Sequence, residues 1–289
     1  MNQKVKHAPL WTIFFSILSL AWLFPIAVIL YNSFKTKAYI SSTYTFQLPN
    51  SKSFAGLDNY TLGVARTGFM ESFGWTVFIT VGSVFLILLC TSMCAWWIVR
   101  VNNWFAKFIY TLFLFNMIVP FQMVMFPLVK IADIIGFDLP DDGGRIGLNQ
   151  PYGLWFIYLG FGAGLAVFMF TGVIKSLPSE IEEAAMIDGA SVPYTFFGIV
   201  VPLMRPSIIS VGILETMWIW NDYLLPYLIL PREVQTIPIA VQYLKGGYGS
   251  ADMGAMMACL VLAIAPIIVF YLICQKYIIS GVTAGAVKG

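Results

Sequence analysis

Residues 175–205 read KSLPSEIEEAAMIDGASVPYTFFGIVVPLMR, a polar island between two long apolar runs. Ser179 followed by Glu182 matches a capping box, the pattern that opens a helix by pairing side chains with free backbone N–H groups. Glu180, Glu182 and Glu183 sit in the first turn or so, where the helix dipole favours negative charge. Ala184 and Ala185 propagate the helix. Gly189 can stop it, because glycine enters positive φ at little cost. Ser191 can cap a second helix with Pro193 in its first turn, and Pro202 is expected to end that one. The segment therefore predicts a short helix, a break and a second short helix on a membrane face. Small residues beside acids at fixed places suit a helix built to fit a partner's groove.

Outward from this island the chain is overwhelmingly apolar. Of 289 residues, 59% are hydrophobic and 10% charged, with mean hydropathy +0.83. Soluble domains carry about 25% charged residues, so an ordinary soluble enzyme is excluded. A spanning helix needs about 20 mostly apolar residues. Six segments qualify, at 10–34, 73–99, 108–128, 154–174, 206–230 and 255–277. The expected fold is an all-α membrane protein of six transmembrane helices, with residues 1–289 forming one transmembrane domain. The first run stays uncharged from Ala8 to Phe34, too long for a signal-peptide core, so it reads as a retained span. Gly160–Gly164 (GFGAG) lies inside a span and offers a small-xxx-small pair for close helix approach.

An even number of spans puts both termini on one side. With the termini inside, the inner segments hold Lys4, Lys6, Arg100, Lys107, Lys175, Arg205, Lys276 and Lys288. The outer ones hold Lys35, Lys37, Lys52, Arg66, Lys130, Arg145, Arg232 and Lys245. The split is even. The shorter total length of the inner segments and the tight basic loop Arg100–Lys107 favour termini inside. The near-balanced charge does not suit a nucleic-acid binder. His7 is the only histidine, which excludes a multi-histidine metal site, and no metal is expected. The four cysteines all lie in apolar runs and read as small filler.

Ionisable residues inside a span usually face a cavity or a partner. In the fifth span, Val211, Glu215, Trp218 and Asp222 share a helix face, with Asn221 beside them. Carboxylates and amides accept sugar hydroxyls, and indole rings stack on sugar C–H faces, so this face is a candidate translocation path. Structural pairing of Glu215 in the bundle is the competing reading. Asn116, four residues before Pro120, is a further path candidate that could instead satisfy the backbone freed by the proline.

The run Glu183-Ala184-Ala185, then Gly189, Ile199 and Pro202, resembles the EAA loop of binding-protein-dependent ABC importer permeases, with Val201 where Leu is usual. Phe54–Tyr60, Asn116–Pro120, Trp220–Tyr223 with Pro226, and the tail Gly281–Gly289 resemble segments of the carbohydrate branch, the tail that of the second permease of maltose-type and multiple-sugar importers. The resemblance implies that 175–205 carries a coupling helix seated in a separate ATPase. Glu182, Glu183, Ala184, Ala185, Asp188, Gly189, Ala190, Ile199 and Pro202 would form that contact. It also implies a bacterial or archaeal cytoplasmic membrane. No phosphate-cradling Gly-rich loop followed by Lys occurs, so the chain is not expected to be an enzyme or to bind a cofactor itself. ATP and Mg would belong to a cytoplasmic ATPase dimer. The outer segments are too short for a ligand-binding domain, so an extracytoplasmic solute-binding protein is expected. Six helices make only half a wall around a sugar, so a second, non-identical permease is expected too. An ion-driven secondary transporter, an importer of a non-sugar solute, and a membrane enzyme for lipid-linked substrates are the alternatives.

Overall fold

The computed structural model describes residues 8–40, 44–138, 145–244 and 252–286. Helix α1 (Ala8–Asn32) is apolar on every side, as a lipid-facing span must be. Two short helices follow, α2 (Lys37–Ile40) and α3 (Asp58–Thr67), and then the 33-residue α4 (Phe69–Val101). Asn102 turns the chain at φ 44°, and Asn103 Oδ1 accepts from Ala106 N at 2.8 Å to cap α5 (Trp104–Asn116). After α6 (Phe121–Ile134), a two-residue antiparallel pair joins β1 (Phe137–Asp138) to β2 (Arg145–Ile146). The Pro-Asp-Gly turn expected at 139–144 lies outside the described residues. Next come α7 (Gly153–Ile174), α8 (Ser179–Ile187), α9 (Val192–Tyr194), a π-helical turn at Thr195–Val200 and α10 (Val201–Leu203). The chain ends on α11 (Arg205–Asn221), α12 (Leu224–Ile229), α13 (Ile237–Tyr243) and α14 (Met253–Ala286).

Among the described residues, four helices are long and apolar enough to cross a membrane: Pro9–Asn32, Phe69–Val101, Gly153–Ile174 and Met253–Gln275. The segments predicted at 10–34, 73–99, 154–174 and 255–277 fall on these four. The other two depart from expectation. The third is not one rod: α5 and α6 meet at 103°. Pro120 is the N-cap of α6 at ψ 141°, and it supplies no N–H to continue the helix across the break. The fifth is not continuous to Leu230. It breaks at Asp222, which adopts extended backbone, and restarts as α12. Upstream, the stretch Val192–Leu203 bends 77° into α11.

The residues fall into two compact units. In the first (residues 1–70 with 240–266), the chain after α1 is tied down by buried polar groups. Thr36 N donates to Ser53 O at 2.9 Å, and Asn59 Nδ2 donates to Ser33 O at 2.7 Å and Lys35 O at 2.8 Å. The buried Lys35 ammonium donates to Tyr44 O at 3.1 Å and lies 4.9 Å from the centre of the Tyr31 ring. Burial lowers its pKa from the ordinary 10.5, because losing water penalises the charged form.

The second unit (residues 71–239 with 267–289) is packed around α7. Its core includes Ile87, Leu154, Phe170, Ile174, Val200 and Val211. Glycines set how closely neighbours approach α7. A Cβ on Gly164 would fall 2.7 Å from Met117 Cγ and 2.9 Å from Phe113 O. Gly160 O accepts from Asn116 Nδ2 at 3.0 Å. The small-xxx-small pair therefore receives the end of α5.

Candidate functional site

Pro178 is the N-cap of α8, with no side-chain capping bond, and Ser179 is the first helical residue. The expected capping box is thus not formed. Glu182 is instead 4% exposed and reaches across to the end of α4. Its Oε1 accepts from Arg100 Nη2 at 2.6 Å, and Arg100 Nε lies 3.1 Å from both carboxylate oxygens. Trp96 Nε1 donates to Oε2 at 2.8 Å. Arg100 Nη2 also donates to Leu177 O at 3.3 Å. Charge-assisted bonds of this kind are about twice as strong as neutral ones, which explains why the carboxylate leaves its own backbone. The Trp96 ring also sits 5.2 Å from that of Phe196 in the π-turn. Arg100, Trp96 and Glu182 thus bind two helices and the π-turn together.

The opposite side of α8 is open. Glu183, Ala184, Met186, Asp188 and Gly189 are exposed, Ala185 and Ala190 are half-buried, and Ile187 is 86% exposed. Gly189 stands at φ 87°. Its N donates to Met186 O at 3.1 Å, while Ala190 N donates to Ala185 O at 2.9 Å. These two bonds form a Schellman stop, as Gly189 predicted. Ser191 Oγ accepts from Tyr194 N at 3.4 Å and caps α9, also as expected. Pro202 does not end the second helix. The backbone widens at Thr195–Val200, Val201 N reaches back to Phe196 O, and the helix runs on to Leu203. The π register takes up the interruption, since Pro202 has no N–H to place. Ile199 is half-buried and Pro202 is exposed. Arg100 bonds to α8 directly, and Lys175 stands four residues before its first residue, with Nζ 5.4 Å from the centre of the Tyr110 ring.

The expected path face on α11 divides. Val211 and Glu215 point into the chain's own bundle. Glu215 is 2% exposed, and its Oε2 has no hydrogen-bond partner. A Cβ on Gly162 of α7 would fall 2.9 Å from that oxygen, and one glycine gap accommodates the carboxyl. Trp218 is 42% exposed, with its ring 5.5 Å from Tyr158 in an edge contact. Tyr158 Oη donates to Asp222 Oδ2 at 2.8 Å, and Asp222 Oδ1 accepts from Leu224 N at 3.0 Å. Asp222 therefore fixes the break between α11 and α12. Asn221 is exposed and donates to Met217 O at 2.7 Å. Asn116 bonds to α7 rather than to its own broken helix.

Sequence reading missed Arg100, Trp96 and Tyr158. Arg100 was visible only as a basic residue of the tight loop that follows the second span. Tyr158 was hidden in an apolar run.

The model of the binding-protein-dependent transport system inner membrane component matches residues 87–284. The chain is 38% identical, over 94% of each chain, to the probable starch degradation products transport system permease protein AmyC of Thermoanaerobacterium thermosulfurigenes. It is 33% identical, over 92% of each, to the multiple sugar-binding transport system permease protein MsmG of Streptococcus mutans. Among solved structures, a chain of a bacterial ABC transporter importing the acidic polysaccharide alginate shares its fold. The TM-score is 0.75 at 20% identity, covering 96% of this chain and 99% of that one.

Proposed function

The chain belongs to the family of binding-protein-dependent transport system inner membrane components, and from that premise we propose that it is one permease subunit of an ATP-driven importer of a sugar or oligosaccharide. It is a multi-pass membrane protein of a transport family, not an enzyme. The bent pairs α5–α6 and Val192–Asn221 each count as one span in this reading, giving six across residues 1–289. Both termini face the cytosol. The tight basic loop Arg100–Lys107 and the shorter total length of the inner segments support this orientation, because short cytosolic segments are dense in Lys and Arg.

One observation carries the proposal: α8 is rooted in the unit through Glu182 yet leaves Met186, Ile187, Glu183 and Asp188 uncovered. A nine-residue helix with an anchored back and an open apolar-acidic crest suits the groove of a separate cytoplasmic ATPase dimer that binds ATP and Mg. Glu183, Ala184, Ala185, Asp188, Gly189 and Ala190 contribute the contact, with Glu182, Ile199 and Pro202 shaping its base. Trp218 and Asn221 give the exposed part of the path wall, and Glu215, Asp222 and Asn116 set the helices behind them. A second, non-identical permease supplies the other half of the wall, and an extracytoplasmic binding protein delivers solute. Support for sugar as cargo comes from the relatives, whose printed names concern starch degradation products and multiple sugars.

The test is purification through a tag on this chain from cells that express it natively. Co-isolation of an ATPase and a second permease, with ATP-dependent sugar uptake in proteoliposomes, is expected. Uptake by this chain alone, driven by a proton or sodium gradient, would overturn the assignment.

A further inference from the structure

We infer that Arg100 is a positioning residue that latches α8 to α4, so that a push on α8 is delivered to α4 directly. This deepens the proposed function and rests on it. Besides the four-residue link 175–178 back to α7, two routes lead from α8 into the helix bundle. One follows the chain through Gly189, α9, the π-turn and the bend into α11. It contains a positive-φ glycine and, beyond the buried π-turn, a 77° bend, so displacement along it meets two joints before it reaches α11. The other route is short. Glu182 is buried on the inner side of α8, and three donor atoms from one turn of α4 converge on its carboxylate: Trp96 Nε1, Arg100 Nε and Arg100 Nη2.

The same guanidinium holds Leu177 O, just before α8 begins. Arg100 therefore grips both the entry to α8 and its buried side. Arg100 is itself largely covered, with its side chain 24% exposed, so water competes little for the pair. Trp96 adds packing against Phe196, which brings the π-turn into the same block. A flat guanidinium holding two oxygens resists rotation as well as separation. The latch thus makes α4 and α8 move as one body while the covalent route through Gly189 flexes. The surface pair Arg66–Asp252 in the other unit makes a single 2.9 Å contact with Arg66 53% exposed, and carries no such role.

The experiment uses the full transporter, both permeases with the ATPase and binding protein, in proteoliposomes. ATP turnover and solute imported are measured together. Arg100→Gln is expected to leave the complex assembled, shown by co-purified ATPase, and to lower solute moved per ATP by about tenfold, within the range of ordinary coupling effects. Arg100→Lys, which keeps the charge but loses the fork, should recover part of the ratio. Combining Arg100→Gln with Glu182→Gln should cost no more than the worse single change, since both cut one interaction. An unchanged ratio in Arg100→Gln, or strictly additive losses in the pair, would overturn the latch. Loss of assembly in Arg100→Gln would overturn it as well, because the residue would then be needed for folding rather than for coupling. The unaltered complex is the internal control: if it fails to couple ATP to uptake, the proposed function fails, whereas a coupled control with a coupled Arg100→Gln sinks only the latch.

Discussion

Gly189 separates two costs that are usually mixed. A Cβ built there meets nothing within 4 Å, so a side chain would have room. The cost of substitution comes from φ 87° alone. L-residues pay roughly 1–2 kcal/mol in left-handed conformations, and asparagine pays less. Gly189→Ala should therefore loosen the end of α8 without any clash, while Gly189→Asn should be milder. Hydrogen exchange at Ala190 and Ser191 would report the order Ala worse than Asn, and equal exchange in both would contradict it. Lys35 offers a pH test at the same scale. Its pKa is lowered in the folded chain by burial, so the unfolded chain binds more protons in the window between the lowered value and 10.5. Stability must rise with pH across that window, since the penalty of the buried charge is relieved as the proton leaves. Thermal melting in detergent should shift upward as pH climbs from the lowered pKa toward 10.5, and Lys35→Met should flatten that slope.

At the scale of elements, the lesson of the sequence depends on how far each signal reaches. Spans are local runs of apolar residues, and four were placed to within a few residues. The stop at Gly189 and the cap at Ser191 are likewise local, and both formed. Glu182 shows why others failed. Its spacing from Ser179 matched a capping box, but its real partner lies 82 residues away in sequence, and no local pattern reports a distant guanidinium. Pro120 was legible as a residue that frees helix backbone, yet a 103° turn also needs α7 to receive α5. That reception is readable in the GFGAG run only once the neighbours are known. On the candidate path, helical spacing put Val211, Glu215, Trp218 and Asp222 on one face, but spacing alone does not say whether a face turns to the bundle or away from it. The α5–α7 contact gives the element-scale prediction. Gly164→Leu would drive a side chain into Met117 Cγ and Phe113 O, and overpacking costs about 1–3 kcal/mol. Gly172 on the same helix has nothing within 4 Å of a built Cβ. Gly172→Leu should leave detergent melting close to unchanged where Gly164→Leu lowers it.

For the whole molecule, membrane orientation decides whether α8 can meet a cytosolic motor at all. α7 runs from Tyr152 at its N-cap to Lys175 at its C-cap, with α8 beginning at Ser179. If α7 spans the bilayer, Tyr152 and Ile187 emerge on opposite sides of it. The proposed orientation, supported by the tight basic loop Arg100–Lys107, puts the Ile187 side in the cytosol. Replacing Cys90, Cys94, Cys259 and Cys274 clears the background for single-cysteine labelling. Tyr152→Cys should react with a membrane-impermeant maleimide in intact cells. Ile187→Cys, at the most open point of α8, should react only after permeabilisation, and less when the ATPase is co-expressed. Labelling of Ile187→Cys from outside would invert the topology and remove α8 from any ATP-driven partner. Labelling from inside without protection by the ATPase would keep the topology and move the docking surface off α8.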